Sequence, residues 1–132
     1  MALNFAYLAA IFRQLGHSVE YCIDSLPAHA DVYVFNPALQ TIDLEQAAIR
    51  RALKQSPKSR VLVVGTVAYA LPEQFAAPGV TVVRGEPEQL LWKFEDALDS
   101  ADSIIDVGSV RDLDTLPWPD WSVFNHRKFA IR

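Results

Sequence analysis

The side chains best suited to catalysis or metal binding are few in this chain and widely spaced. The three histidines, His17, His29 and His126, are not paired four residues apart and form no HExxH motif, so a zinc hydrolase would need ligands gathered from distant segments. The single cysteine, Cys22, excludes an internal disulfide, a multi-cysteine zinc site and an iron-sulfur cluster held by this chain alone. Its neighbours are those of a half-buried strand, which favours a small packed side chain over a nucleophile.

Motifs for nucleotide and acyl-transfer chemistry are also missing from the sequence. The chain has five glycines and neither a P-loop nor a dinucleotide-binding glycine pattern, and its serines lack the GxSxG nucleophile elbow. Asp96, Asp99, Asp102 and Asp106 form an acidic cluster, a pattern more typical of a solvated turn than of a metal site. We therefore predict no catalytic residue and no metal ligand in this chain.

The composition is that of an ordinary globular domain. Among 132 residues, 51% are apolar and 21% charged, and 12 basic against 16 acidic side chains leave a net charge of −4. This balance lacks the basic face that a nucleic-acid partner usually requires, and no run of about 20 apolar residues predicts a membrane span. The first 15 residues lack the basic start and the cleavage site of a signal peptide, so we read them as structure and expect a cytoplasmic protein.

Hydrophobic periodicity predicts three helices. Apolar residues three and four apart predict a helix over residues 5–15 that stops at Gly16. A second helix is expected to have Thr41 at its amino-terminal cap, where the hydroxyl can accept free amide hydrogens, and to end before Pro57. A third is opened by Pro87, a residue suited to a first helical turn.

Two apolar patterns predict the strands. Residues 18–23 alternate between apolar and other side chains, which indicates a half-buried strand. The segments 31–35, 61–64 and 80–83, with apolar residues at 32–35, throughout 61–64 and at three of the four positions of 80–83, indicate parallel strands buried on both faces. A weaker run at 103–107, within the acidic stretch, predicts one further strand.

The alternation of strands and helices predicts the fold class. Short connections imply parallel strands joined by right-handed crossovers, hence an α/β protein with a three-layer α/β/α sandwich of flavodoxin-like (Rossmann-like) type. Open sheets of this kind normally begin with a central strand, whereas this sequence starts within a few residues of a helix. We therefore expect the sheet to lack its usual first strand: either it was cut off, or another chain supplies it in an oligomer, or the sheet closes without it.

In parallel sheets of this type, ligands bind beyond the carboxyl ends of the strands. The predicted ends, at residues 36–38, 65–68 and 84–87, are rich in small and turn-forming residues, so a flat and bulky ligand could approach the backbone closely. In the alternative interpretation, Gly65 and Gly85 serve only the geometry of their turns.

Several segments carry a resemblance to a known family. The most specific are VVRGEPE over residues 82–88 and LDTLPWPDW over residues 113–121, and the helix end Leu15-Gly16-His17 adds weaker support. The resemblance extends over nearly the whole chain and is to the N-terminal cobalamin-binding domain of radical SAM enzymes. That family includes anaerobic magnesium-protoporphyrin IX monomethyl ester cyclase and methyltransferases of the iron-sulfur oxidoreductase type. The resemblance implies a cobalamin-binding-like α/β domain over residues 1–110 and an extended linker, rich in proline and tryptophan, over 111–132.

In that family the corrin ring lies at the carboxyl ends of the strands and faces a barrel whose CxxxCxxC motif holds a four-iron cluster. This chain has no such motif. The resemblance thus implies a domain that binds cobalamin, is not catalytic alone, and has a downstream radical SAM barrel as partner, with the 4Fe-4S cluster and S-adenosylmethionine held by that barrel. The implied cobalamin contacts are Asn36, Pro37, Gly65, Thr66, Val67, Gly85, Glu86 and Pro87.

Two departures from the family pattern bear on binding. Many members have two glycines, a small residue and a histidine after the fourth strand, where this chain has the sequence GTVAY over residues 65–69. Tyr69 would then narrow this edge of the sheet or cover a face of the ring. The DxHxxG motif, which supplies an imidazole to cobalt in cobalamin mutases, is also absent, so no histidine ligation of that kind is expected.

Two other interpretations stay open. The same fold without a ligand could be an interaction domain that docks a catalytic barrel or a substrate, which the aromatic segment with Trp118 and Trp121 favours. A flavodoxin-like redox or receiver domain is a weaker alternative, because the first strand that precedes a receiver's acidic pocket is missing. The substrate, whether porphyrin, lipid or small molecule, is not determined by this sequence.

Overall fold

The computed structural model describes residues 2–23 and 25–124 of the chain. Within these residues, the helices are α1 (Ala2–Gln14), α2 (Ile42–Gln55), α3 (Thr66–Ala70) and α4 (Leu90–Asp99). The strands are β1 (Val32–Phe35), β2 (Arg60–Val63), β3 (Val80–Arg84) and β4 (Ile104–Asp106). Short 3-10 turns lie at Leu39–Thr41, Pro72–Gln74, Pro87–Gln89, Leu113–Thr115 and Trp121–Val123.

The four strands of the described residues form one parallel sheet. Its order is β1-β2-β3-β4, with Val34 opposite Leu62 and Val63 opposite Val82. The short strand β4 pairs with β3 at one border of the sheet, and β1 forms the other border. The α/β class, the parallel sheet and the strands predicted from apolar runs are confirmed.

Helices cover both faces of this sheet. On one face, α1 and α4 pack with Leu62 and Val64 in one buried cluster. On the other face, α2 and α3 pack with Val61 and Val63 in a second cluster. All four of these side chains are 0% exposed, so β2 is the centre of the three-layer sandwich, and its unbroken apolar run reflects burial on both faces.

The crossovers do not all have the same hand. The strand order advances in one direction across the sheet, but α2 and α3 lie on one face and α4 lies on the other. The connection through α4 therefore has the opposite hand to the two connections before it, and the prediction of uniformly right-handed crossovers is wrong. The helix packs instead against α1, where the rings of Phe12 and Phe94 have centroids 5.1 Å apart.

Residues 18–23 do not form the predicted strand. Among the described residues, no strand pairs with this segment, and an isolated strand leaves its backbone N–H and C=O groups without protein partners. The Tyr21 ring packs against Phe5 of α1, with centroids 5.3 Å apart, and against Phe124, at 4.7 Å. Side-chain packing thus positions the segment without a backbone ladder.

The start of α2 is not capped in the way the sequence predicts. Thr41 does occupy the cap position, but its hydroxyl donates to a carbonyl three residues earlier (3.3 Å) and accepts no amide hydrogen of the helix. Asp43 and Glu45 lie in the first turn, where negative charge is favourable near the positive end of the helix dipole. The helix ends ahead of Pro57, as predicted.

The other two helix boundaries agree with the sequence. Helix α1 ends two residues before Gly16, which has a φ of +93°, the left-handed conformation typical of a helix end. Pro87 begins a 3-10 turn that leads directly into α4.

The segment that follows β4 packs back on its own domain. The Asp120 amide donates to the Ala6 carbonyl (2.9 Å), and the Asp120 carboxylate pairs with Arg13 of α1. Phe124 is buried, whereas Trp118 is 92% exposed. The predicted extended segment is thus anchored near its end and presents an indole to solvent in the middle.

Residues 125–132, which include His126, lie outside the described residues, as does Asp24. Within the described part of the chain, no helix is both long and apolar enough to cross a membrane.

Candidate functional site

The eight predicted contact residues lie where the strands end, on the side of the sheet formed by the carboxyl ends of the strands. We call this side the carboxyl edge and define it as residues 36–38, 65–69, 84–87 and 107–110. Because the strands run parallel, the residues that follow them share this side. Their exposure differs. Pro37, Gly65 and Pro87 are buried, Asn36, Val67 and Gly85 are half-buried, and only Thr66 and Glu86 are exposed.

Gly65 is needed by its own turn and by its neighbour Asn36. Its φ is +95°, a conformation that L side chains rarely adopt. A Cβ added there would collide with the Asn36 carboxamide, at 2.9 Å from its Cγ and closer still to its oxygen. The structure brings these two predicted residues together, but the Asn36 side chain, not open space, faces the Gly65 Cα.

Gly85 is enclosed in a similar way by the loop that follows β4. Its φ is +105°, and a Cβ would lie 2.5 Å from the Gly108 carbonyl oxygen. The Glu86 amide donates to that same carbonyl (2.9 Å), and the Glu86 carboxylate accepts from the Val110 amide (2.6 Å). Both glycines thus have a left-handed backbone and are closely packed against neighbouring protein atoms.

Two hydrogen-bond donors at the carboxyl edge have no partner in the described structure. They are Asn36 Nδ2, after β1, and Arg84 Nε, at the end of β3, and both atoms are buried. Leaving a buried donor unsatisfied costs about 1–3 kcal/mol. Arg60 Nε is also buried and unpaired, but it lies at the start of β2. It is therefore on the opposite side of the sheet, where the amino ends of the strands lie.

An aromatic ring lies beside one of these donors. The Arg84 guanidinium carbon is 4.9 Å from the centroid of the Tyr69 ring, and Tyr69 is 51% exposed. Tyr69 thus lies at the carboxyl edge, beside the Arg84 guanidinium. Sequence reasoning noted Tyr69 but did not include Arg84 among the contact residues. The sequence does contain a feature that points to Arg84, because it is a charged residue directly after a predicted buried strand.

A groove with a volume of about 1620 Å³ runs beside β1. Its lining includes β1, residues 17–23, and side chains of both α1 and α2. Of the eight predicted contacts, only Asn36 lines it, so the groove meets the carboxyl edge at one corner. Two titratable side chains that line the groove have raised pKa values. Burial raises the pKa of Glu45, and burial followed by the nearby Glu20 carboxylate raises the pKa of Cys22.

Comparisons of the chain with protein-family models, curated proteins and solved structures found no match. The class of the protein therefore follows from its fold, a three-layer α/β/α domain with a parallel sheet. Its candidate site is a carboxyl edge with two unpaired buried donors and one exposed aromatic ring.

Proposed function

We propose that this chain is a corrinoid-binding α/β domain of a cytoplasmic radical SAM-type enzyme and is not catalytic alone. The observation that carries the proposal is the pair of buried, unpaired N–H donors at the carboxyl edge, Asn36 Nδ2 and Arg84 Nε. Ligands of parallel α/β sheets bind at this edge, and a ligand that accepts hydrogen bonds there would remove the cost of both unsatisfied donors.

The spacing of the two donors favours a wide ligand. They lie at the ends of β1 and β3, which are separated by β2, so the strand positions are about 10 Å apart. A single small anion does not span that distance, whereas a macrocycle with peripheral carbonyl groups does. The half-buried Val67 and the exposed Tyr69 ring add apolar surface between and beside the donors, as a corrinoid site requires.

The chain's own residues would hold the ligand at this edge. Asn36 and Arg84 would donate to carbonyl groups on its periphery, and Tyr69 would pack against a ring face. A bound cobalamin would supply a cobalt centre for radical or group-transfer chemistry. Because Gly65 and Gly85 are covered by protein atoms, the ligand would lie across the edge, and its outer face would be covered by a downstream barrel that holds the 4Fe-4S cluster and S-adenosylmethionine.

A titration with hydroxocobalamin tests the proposal. We expect the corrinoid absorption bands to shift and the corrinoid to co-elute with the chain at micromolar concentration. Asn36→Ala and Arg84→Lys each remove one donor and should weaken binding about tenfold, the loss of one hydrogen bond. Arg60→Lys is the matched control, because it removes an equally buried Nε donor at the opposite edge.

Two results would contradict corrinoid binding. One is an unshifted spectrum without co-elution at high micromolar concentration, with circular dichroism showing that the chain is folded. The other is equal binding by the Arg84→Lys and Arg60→Lys variants, since the ligand would then not lie at the carboxyl edge.

A second candidate is a ligand-free interaction domain that docks a catalytic barrel. Trp118 is 92% exposed and Leu113 is 69% exposed, on a segment that Asp120 and Phe124 anchor to the domain. Large apolar side chains on an anchored segment are suited to a partner surface, because little ordering entropy remains to be lost on binding.

The environment of Trp118 tests this docking. In a Trp92→Phe/Trp121→Phe background, Trp118 is the sole indole, and its emission should be that of water-exposed tryptophan in the isolated chain. In an enzyme that carries the chain and its barrel together, we expect the emission to move to shorter wavelength. Identical emission in both would contradict docking through this segment.

A further inference from the structure

Residues 18–23 are held in place by side chains and not by their backbone. Within the part of the chain that the structure describes, none of their backbone groups is hydrogen-bonded to the backbone of another residue, and no strand pairs with them. The hydrogen bond from the Cys22 thiol to the Glu20 carboxylate stays inside the segment. A segment of this kind opens locally at low cost unless side-chain packing retains it.

Tyr21 is a main point of attachment of this segment. Its ring packs against Phe5 of α1, with centroids 5.3 Å apart, and against Phe124, at 4.7 Å. Aromatic rings at these distances attract one another beyond the effect of the area they bury. The position of Tyr21 therefore depends on Phe124 as well as on α1.

Phe124 is in turn held by contacts that do not involve residues 18–23. The Asp120 amide donates to the Ala6 carbonyl (2.9 Å), and the Asp120 carboxylate pairs with Arg13. Arg13 also donates to the Ser122 hydroxyl (3.1 Å). Because these contacts fix the chain two and four residues before Phe124, loss of the Arg13 contacts should loosen its ring.

Both segments form part of the groove beside β1. Tyr21 and Val123 line it together with Phe5 of α1. Neither Tyr21 nor Phe124 belongs to the two buried clusters of the sandwich. The two segments can therefore move away from the groove while the sheet and its helices stay packed.

From these contacts we propose that residues 120–124 are a strap that closes the groove beside β1. The strap and residues 18–23 open together as one unit, because the ring contact between Phe124 and Tyr21 joins them, and the groove widens when they open. The proposal concerns access to the groove and is independent of corrinoid binding at the carboxyl edge.

The single cysteine of the chain reports this opening. Cys22 is half-buried within residues 18–23, so its rate of alkylation by iodoacetamide rises when the segment opens. Phe124→Ala should raise this rate at least fivefold, since it removes the ring that retains Tyr21. Trp118→Ala is the control on the same segment, and because Trp118 is 92% exposed the rate should stay within about twofold of the wild type.

A second variant loosens the strap without removing an aromatic ring. Arg13→Met removes the partner of Asp120 and a donor to Ser122, and it should raise the Cys22 alkylation rate at least threefold. Arg111→Met is the matched control, an exposed arginine after β4 that makes no ion pair with other described residues, and it should leave the rate within about twofold. Because Arg13→Met retains every ring, it carries the test even if loss of a buried ring prevents folding.

Fluorescence follows the strap itself. In a Trp92→Phe/Trp118→Phe background, Trp121 is the sole indole, and its ring centroid lies 5.9 Å from that of Phe124. Arg13→Met should move the Trp121 emission to longer wavelength, as water reaches the opened strap. The emission and the cysteine rate should change in the same variants.

Two controls separate local opening from other causes of faster alkylation. Global unfolding exposes much more surface than the proposed unit, so its rate rises more steeply with urea; alkylation through the strap should depend on urea only weakly. A change in the thiol pKa alters the ratio of variant to wild-type rates with pH, because the thiolate is the reactive form. A ratio that stays constant from pH 7 to pH 9 is expected for a change in access.

Three results would overturn the proposal. The first is an unchanged Cys22 rate in a folded Phe124→Ala variant. The second is an unchanged Cys22 rate in Arg13→Met, and with a shifted Trp121 emission it would show that the two segments open separately. The third is a rate that rises with urea as steeply as global unfolding does.

Discussion

At the scale of single residues, Gly65 and Gly16 show that the same residue type can be required for two different reasons. Gly65 and Gly16 have nearly the same φ, +95° and +93°. Their surroundings differ, because a Cβ on Gly65 would collide with Asn36, whereas a Cβ on Gly16 would meet nothing within 4 Å. The sequence shows a glycine in both places and cannot distinguish conformational need from close packing.

This difference predicts unequal costs of substitution. Gly65→Ala should lower the free energy of unfolding by about 2–3 kcal/mol, since it adds a steric conflict to the strain of a left-handed backbone. Gly16→Ala, with the backbone strain alone, should cost about 1 kcal/mol. Urea denaturation measures both. In an Asn36→Ala background the Gly65→Ala cost should fall toward that of Gly16→Ala, and an unchanged cost would show that Asn36 is not the obstacle.

A second prediction at this scale concerns Asp120. Hydrogen bonds from the Ser122 hydroxyl and amide, and then the charge of Arg13, hold the pKa of Asp120 below its ordinary value of 3.8. A carboxylate with a lowered pKa in the folded state contributes stability above its unfolded pKa and loses it as the pH falls through the folded value. The contribution of Asp120 should therefore be complete at neutral pH and lost as the pH falls below about 3.8.

Asp120→Asn tests this pH dependence. Thermal unfolding of the wild type and the variant should differ at pH 6, and the difference should shrink below pH 4 as the wild-type carboxylate is protonated. A difference that stays constant from pH 6 to pH 2.5 would show that the ionised form makes no contribution. Ser122→Ala should narrow the difference, because it removes the largest cause of the lowered pKa.

At the scale of elements, strand pairing separates the predicted strands that are confirmed from residues 18–23, where the predicted strand is wrong. The runs at β1, β2 and β3 are apolar on both faces, and each has a neighbouring strand. Residues 18–23 have the required alternation but no such neighbour among the described residues. Strand formation requires a partner strand, which is often distant in sequence, whereas helices α1, α2 and α4 satisfy their backbone groups locally.

The central position of β2 leads to a prediction about Leu62. Leu62 is 0% exposed and belongs to the cluster that joins α1 and α4. Leu62→Ala should lower the free energy of unfolding by about 3–4 kcal/mol, through lost burial and a cavity that rigid neighbours cannot fill. Leu44→Ala on α2 is the control, and because Leu44 is 70% exposed it should change stability by less than about 0.5 kcal/mol. Equal effects in chemical denaturation would contradict the assignment of β2 as the core.

At the scale of the whole molecule, the segment after β4 belongs to the fold as well as to its surface. Its Asp120 and Phe124 contact α1 and Tyr21, while Trp118 extends into solvent. One short segment thus combines an anchor and a free aromatic side chain. A pattern of prolines and tryptophans without periodicity does not reveal which aromatic side chain has which role.

This division predicts opposite results for two aromatic substitutions. Phe124→Ala should destabilise the chain by about 3 kcal/mol, because Phe124 is 6% exposed. Trp118→Ala, at 92% exposure, should alter stability by less than about 0.5 kcal/mol. Calorimetry of the two variants measures this directly. A large loss of stability for Trp118→Ala would mean that its indole packs on the domain and is not free for a partner.

The sequence by itself determined the α/β class and the positions of the four strands of the described sheet. These features follow from local chemistry, since a run such as that of β2 is apolar whatever surrounds it. Only the tertiary structure decided that α4 packs beside α1, that protein atoms cover Gly65 and Gly85, and that Asn36 and Arg84 keep unpaired donors. It also decided that β1 has an open border next to a groove. Each of these depends on groups far apart in the chain, and contacts of that kind leave no periodic pattern in the sequence.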